Sequence, residues 1–211
     1  MAHKVSPIAF RLGYIKSWLS NWYASRNSYS NLISNDILIR NYVKWLLTWI
    51  PIWTIFINHI QNKEDSIKII IYSIKTSLIL WKEWKNLENI SNKMKMKFNK
   101  NFIFEIKEEK KPEVNANLTA FMIAKQIEKR MPYRRVIKQA IQKWMEKWAM
   151  WIKVIIAWRL GWAEIARSEL YKDWNIPAQT IRADIDYTSE RAETMYGTIW
   201  IKVWIYKWDI Y

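Results

Sequence analysis

The chain has 211 residues, with thirty-four Lys and Arg against nineteen Asp and Glu, a net charge of +15 and a pI near 9.8. That balance favours a polyanionic partner, nucleic acid ahead of an anionic membrane, through long-range attraction and counterion release. There is no Cys, and the two histidines, His3 and His59, are far apart, which excludes disulfides and thiolate zinc sites and argues against any metal centre or cofactor.

In chain order, residues 1 to 25 read as an irregular basic arm, opening Met1-Ala2-His3-Lys4-Val5-Ser6-Pro7 without the apolar run of a signal peptide. A cytoplasmic location is expected. Ser30 to Thr48 has the spacing of an amphipathic helix, and Ile52 to Asn58 and Ile67 to Ile74 are Ile-rich strands joined by polar Gln61 to Asp65. The apolar run from Tyr42 to Ile60 is long enough to span a bilayer, but Lys44 interrupts it, Pro51 divides it, and its second half turns β-branched. It reads as helix, turn and strand, not a membrane segment.

A helix opens at Trp81-Lys82-Glu83-Trp84 and runs to about Met96, and a strand spans Phe102 to Lys107. The charged run Lys107 to Pro112 marks a domain boundary. Beyond it, Asn115 or Asn117 caps a helix to Arg130, Pro132 interrupts, and a second helix runs from Tyr133 to about Lys147. Ile152 to Ala157 is a strand, Ala163 to Lys172 a short helix, and Gln179 to Tyr187 and Thr198 to Lys207 two more strands.

Sixteen Trp stand beside three Gly, where ordinary usage of about 7% would supply roughly 15 glycines. Many Trp occupy turn-like settings, such as Gly161-Trp162 and Asp173-Trp174-Asn175, in which glycine supplies a positive φ or a close backbone approach. The expectation is that many of these codons are UGA, read as glycine in the source cell and written here as Trp. The alternative is a Trp-rich basic protein that stacks indoles on single-stranded nucleic acid or anchors in an anionic membrane surface.

Trp81-Lys82-Glu83-Trp84, between a strand and a helix, has the layout of the KH-domain nucleic-acid clamp if its first and fourth residues are glycine. Bare backbone there lets a phosphodiester reach the N–H groups. Further matches are longer. Lys4-Val5-Ser6-Pro7, Phe10-Arg11-Leu12-Gly13, Arg159-Leu160-Gly161-Trp162-Ala163-Glu164-Ile165-Ala166-Arg167, Thr180 to Tyr187 and Tyr196 to Trp208 resemble, in order, the bacterial small-subunit ribosomal protein S-three family. In that comparison Trp81, Trp84, Trp148, Trp151, Trp158, Trp162, Trp174, Trp200 and Trp208 stand where the family usually has glycine. Trp18, Trp22 and Trp204 stand where it has an aromatic, and Trp45, Trp49, Trp53 and Trp144 stay undecided.

The resemblance implies an α+β protein: a basic arm over 1–25, a type II KH domain over 26–110, and a C-terminal α+β domain over 111–211 with a mixed or antiparallel sheet packed on helices. It implies a non-enzymatic structural role in the head of the small ribosomal subunit, with ribosomal RNA, messenger RNA and neighbouring head and entry-region proteins as partners. Lys4, Arg11, Lys16, Arg159, Arg167, Lys172 and Arg182 are the implied ribosomal RNA contacts. Arg134, Arg135 and Lys138 match positions that line the messenger entry tunnel, and helical spacing lets the three cations converge on one strand. Glu83 departs from the usual basic clamp. As an enzyme the chain offers no P-loop and no Ser, His and Asp constellation. Asp184 and Asp186 sit on alternate strand positions but lack a third ligand in sequence.

Overall fold

The computed structural model describes residues 4–47, 52–60, 66–73, 85–108, 114–146 and 151–211. The chain forms two compact units, one of Trp18–Lys110 and one that gathers Met1–Ser17 with Lys111–Tyr211.

The first unit holds β1 (Ser20–Asn21), α2 (Tyr29–Leu46), β2 (Ile52–Ile60), β3 (Ser66–Ser73), α3 (Lys85–Phe98) and β4 (Asn101–Glu108). Ile39 and Val43 of α2 and its C-cap Leu47 recur every four residues and so share one face, which is buried. In β3 every second residue is buried, placing Ile67, Ile69 and Ile71 beneath the helices with Met94 of α3. Burying each such side chain contributes roughly 1.5–3 kcal/mol. The sheet order is β1-β2-β3-β4: β2 and β3 pair antiparallel with Ile57 opposite Ile69, and β3 and β4 pair parallel. The expected membrane-length run thus divides between α2 and β2. Among the described residues no helix is long and apolar enough to cross a membrane.

The second unit contains α1 (Pro7–Phe10), α4 (Ala116–Glu128), α5 (Tyr133–Met145), β5 (Trp151–Trp158), β6 (Arg167–Asp173), β7 (Ala183–Thr194) and β8 (Gly197–Asp209). Asn115 caps α4, its side chain accepting from the Asn117 N–H at 3.1 Å. The Ala116 N–H donates to Asp186 Oδ2 at 3.0 Å. Ala116, Ala120, Ile123, Ala124 and Ile127 of α4 and Val136, Ile137 and Trp144 of α5 pack on Ile152, Val154, Ile156, Ile201, Val203 and Ile205. The sheet is antiparallel throughout, in the order β6-β5-β8-β7.

Three sequence expectations are corrected. The helix expected over Ala163 to Lys172 is instead a 3-10 turn at Leu160–Trp162, an irregular link and strand β6. As an edge strand, β6 has mostly exposed, polar residues, so its alternation is faint, while one side of its backbone pairs with β5. The arm is not irregular throughout either: Pro7–Phe10 is helical and Ser20–Asn21 pairs with β2. Strand β7 begins at Ala183, not Gln179, because the carbonyls of Ala178 and Thr180 are turned onto the Arg11 guanidinium at 3.1 and 2.7 Å.

Candidate nucleic-acid interface

Arg134, Arg135 and Lys138 occupy the first turn and a half of α5, and all three are exposed. At about 100° per residue they fall within an arc of about 100°, with Lys138 between the two arginines. Val136 and Ile137, the intervening residues, are buried against the sheet, which fixes the cationic arc outward. Pro132 sets the start of the helix.

Glu169 of β6 organises this end of the unit. It accepts from the Tyr133 hydroxyl at 3.0 Å, the Tyr171 hydroxyl at 2.7 Å and Arg134 at 3.4 Å, and forms an ion pair with Arg167 at 3.3 Å. The Tyr171 hydrogen bond, joined by those of Tyr133 and Arg134, holds its carboxyl below the ordinary value against the opposing effect of burial. Burial, then the neighbouring carboxylate, pushes the Tyr171 phenol up to about 12. One carboxylate therefore orients two arginines from two elements, and the sequence-expected residues Arg134 and Arg167 are brought together. Arg159 is exposed one residue beyond Trp158, which pairs with Arg167, so it belongs to the same end of the sheet.

The other expected contacts are dispersed. Lys4 is exposed, and Lys172 lies at the opposite end of β6, donating to Asn175 at 3.1 Å. Arg182 is held by Asp209 at 3.2 Å with its guanidinium 5.1 Å from the Tyr211 ring centre. Lys16 is paired with Asp184 at 2.6 Å.

Arg11 is a correction: it is fully buried and gives N–H groups to the carbonyls of Ala183, Pro7, Ala178 and Thr180. With four of its five N–H groups bound inside the fold, it locks the amino-terminal segment onto the C-terminal unit and is not a phosphate contact. Burial lowers its pKa, which the charge of Asp184 partly offsets. Asp184 and Asp186 do not form a metal pair, being engaged by Lys16 and by the start of α4. Among the described residues no cluster of three or more potential ligands exists. Trp81, Lys82, Glu83 and Trp84, with Trp49 and Trp148, lie outside the described residues.

Sequence reading missed Lys153, Arg191 and Lys202. Each stands on a strand at the parity opposite the core residues, so a period-two count along β5, β7 and β8 would have found them. Burial, then the charges of Lys4 and Lys172, lowers the pKa of Lys153.

Fold and charge define a basic two-unit α+β protein whose exposed cations gather on a helix start and on strands. Residues 123–205 match the family model for ribosomal protein S3, C-terminal domain. The chain is 41% identical over its whole length to the small ribosomal subunit protein uS3 of Maridesulfovibrio salexigens, covering 97% of that protein. It is 43% identical to the uS3 of Francisella tularensis subsp. novicida, covering 93%, and 36% identical to that of Syntrophobacter fumaroxidans, covering 99%. The chain belongs to the uS3 family of small ribosomal subunit proteins.

Proposed function

We propose that this chain is a structural component of the small ribosomal subunit, acting in the cytoplasm without catalysis of its own, and that within the head of the subunit it binds ribosomal RNA and contributes Arg134, Arg135 and Lys138 to the messenger entry. Family membership supports the structural role. The observation that supports the entry role is the outward cationic arc at the start of α5, backed by buried Val136 and Ile137 and oriented through Glu169. Cations so arranged neutralise successive phosphates without reading bases, which suits a strand that must slide. Arg159 and Arg167 extend the same surface toward ribosomal RNA. Charge reversal of Arg134, Arg135 and Lys138 should impair initiation on structured messenger more than on unstructured messenger while subunit assembly persists. Equal loss on both messengers, or loss of assembly, would count against the entry role.

The glycine reading has its own support. Trp158, Trp162 and Trp174 have φ of 129°, 72° and 59°, and all three stand where the family usually has glycine. Positive φ alone does not decide the matter, since Asn99 and Arg130 adopt 52° and 60°, near the left-handed helical well at about +57° that side chains visit one at a time. Gly161 and Trp162, however, are consecutive at 64° and 72°, and Trp158 lies far outside that well, in backbone used almost only by glycine. These three positions hold glycine in the source cell, and the clamp at residues 81 to 84 regains bare backbone by the same rule. UGA codons at the three positions in the gene would agree; UGG codons would refute it.

A further inference from the structure

We propose that the face of the C-terminal sheet turned away from α4 and α5 is a second binding surface for single-stranded RNA, a reading that rests on the RNA-binding role above and adds a separate place to it. Strand pairing decides which side chains share that face. Lys172, Lys153, Trp204 and Tyr187 form one cross-strand row. Lys202 stands in the next row beside Ile155, and Arg191 in the third beside Trp200. Rows of this kind lie about 6.6 Å apart along the strands.

Charge is sorted between the two faces. Glu169, Asp173, Asp186 and Glu190 pair with core residues Ile156, Ile152, Ile205 and Ile201 and so share the helix-covered side. The three open rows carry four cations and no carboxylate; Glu193 has their parity only farther out, opposite Thr198 at the hairpin. Lys172, Arg191 and Lys202 are exposed. Lys172 lies directly across from Lys153 in the same row, and after burial the charges of Lys4 and Lys172 add to the lowering of the Lys153 pKa. A polyanion relieves that repulsion.

The face also offers rings. The Trp204 and Tyr187 centroids are 5.0 Å apart, and Lys153 Nζ lies 5.1 Å from the Trp204 ring centre. Aromatic rings flanked by cations take unpaired bases with phosphates beside them, with little demand on sequence. A protein neighbour would have to bring a complementary acidic surface. RNA supplies that charge along its backbone and also uses the rings.

Two experiments decide the matter. In intact small subunits from the source cells, ultraviolet cross-linking should leave nucleotide adducts on peptides carrying Tyr187 or Trp204, and Lys172 and Lys202 should resist acetylation that modifies them in the free chain. Peptide-to-peptide links on this face, or lysines acetylated as in the free chain, would overturn the proposal, the first in favour of a protein neighbour. In the full chain, Lys172→Glu with Arg191→Glu and Lys202→Glu should weaken binding to single-stranded oligouridylate at least about tenfold and flatten the salt dependence by about 2, at about 0.7 for each phosphate no longer neutralised. Unchanged affinity in this variant, with a loss on reversing Arg134, Arg135 and Lys138, would remove the sheet face and leave α5 standing. If the variant fails to fold, the cross-linking and acetylation of the unaltered protein decide alone.

Discussion

In the helical layer of the C-terminal unit Trp144 is 2% exposed and packs among the residues of the central core. In the turns around β5 and β6, Trp158, Trp162 and Trp174 leave their rings 41%, 52% and 71% exposed on backbones of positive φ. The interior selects for volume and the turns select for backbone freedom, so the same residue type satisfies one region and strains the other. Trp22 of the first unit falls with the satisfied group: its indole N–H donates to Asp36 at 2.7 Å, and its ring meets His59 edge-on. The contrast teaches that an unusual residue count has to be judged site by site. A chain using indoles throughout as RNA platforms would not place them on backbone reserved for glycine.

The comparison can be broken most forcefully at Trp144. Trp144→Gly should lose about 3–5 kcal/mol for the emptied core and about 1 kcal/mol more for glycine inside a helix, read as a large fall in melting temperature. A neutral result would place Trp144 with the turn residues. Arg11→Met comes next: it removes the donor from four carbonyls, that of Ala183 in a buried bond and the other three in part-buried ones, at about 1–3 kcal/mol for the buried one left unsatisfied, and should detach the amino-terminal segment, seen as early protease cleavage before Ser17.

Of opposite sign, Trp158→Gly, Trp162→Gly and Trp174→Gly should each stabilise the chain. Relief of strain is worth about 1–3 kcal/mol, against about 0.4–1 kcal/mol for the added freedom of glycine in the unfolded chain. The net gain is about 1 kcal/mol per site, visible in denaturant midpoints; Trp174 adds independently, whereas Trp158 and Trp162 both meet Tyr196 and are coupled. Destabilisation by all three would erase the distinction between interior and turn.

The smallest expected effect concerns Trp22. Burial works to raise the Asp36 carboxyl, but hydrogen bonds from His59, Trp22 and Ser20 and the charge of His59 bring it below its ordinary value. The folded pKa is thus depressed, so its stabilising contribution is complete above the unfolded value near 3.9 and is lost as pH falls through the lower folded value. Trp22→Phe should cost about 1 kcal/mol at neutral pH and less in acid, making the melting temperature less sensitive to pH below about 4. An unchanged acid profile would show that the indole N–H does not help hold the carboxylate.

Much of the architecture was legible because the signals are local and periodic. Ile-rich alternation located β2, β3, β5 and β8, apolar spacing located α2, and the pair of cap candidates Asn115 and Asn117 announced α4. What escaped depended on distant partners. Strand β6 is an edge whose polar residues conceal its period, and it is a strand because β5 offers hydrogen bonds. Arg11 looked like a surface cation, since nothing near it in sequence says that the carbonyls of residues 178 to 183 will surround it. The cationic arc of α5 was picked out by the family resemblance and supported by helical spacing, whereas Lys153, Arg191 and Lys202 become one surface only when β5, β7 and β8 are laid in register. Trp144, undecided in sequence, lies buried in the core cluster.

The most direct test is the mass of peptides from the protein isolated from its own cells, covering residues 151–167 and 168–182. Glycine masses at 158, 162 and 174, with the peptide containing residue 144 retaining tryptophan, are the predicted result. Tryptophan masses at the three turn positions would contradict the account.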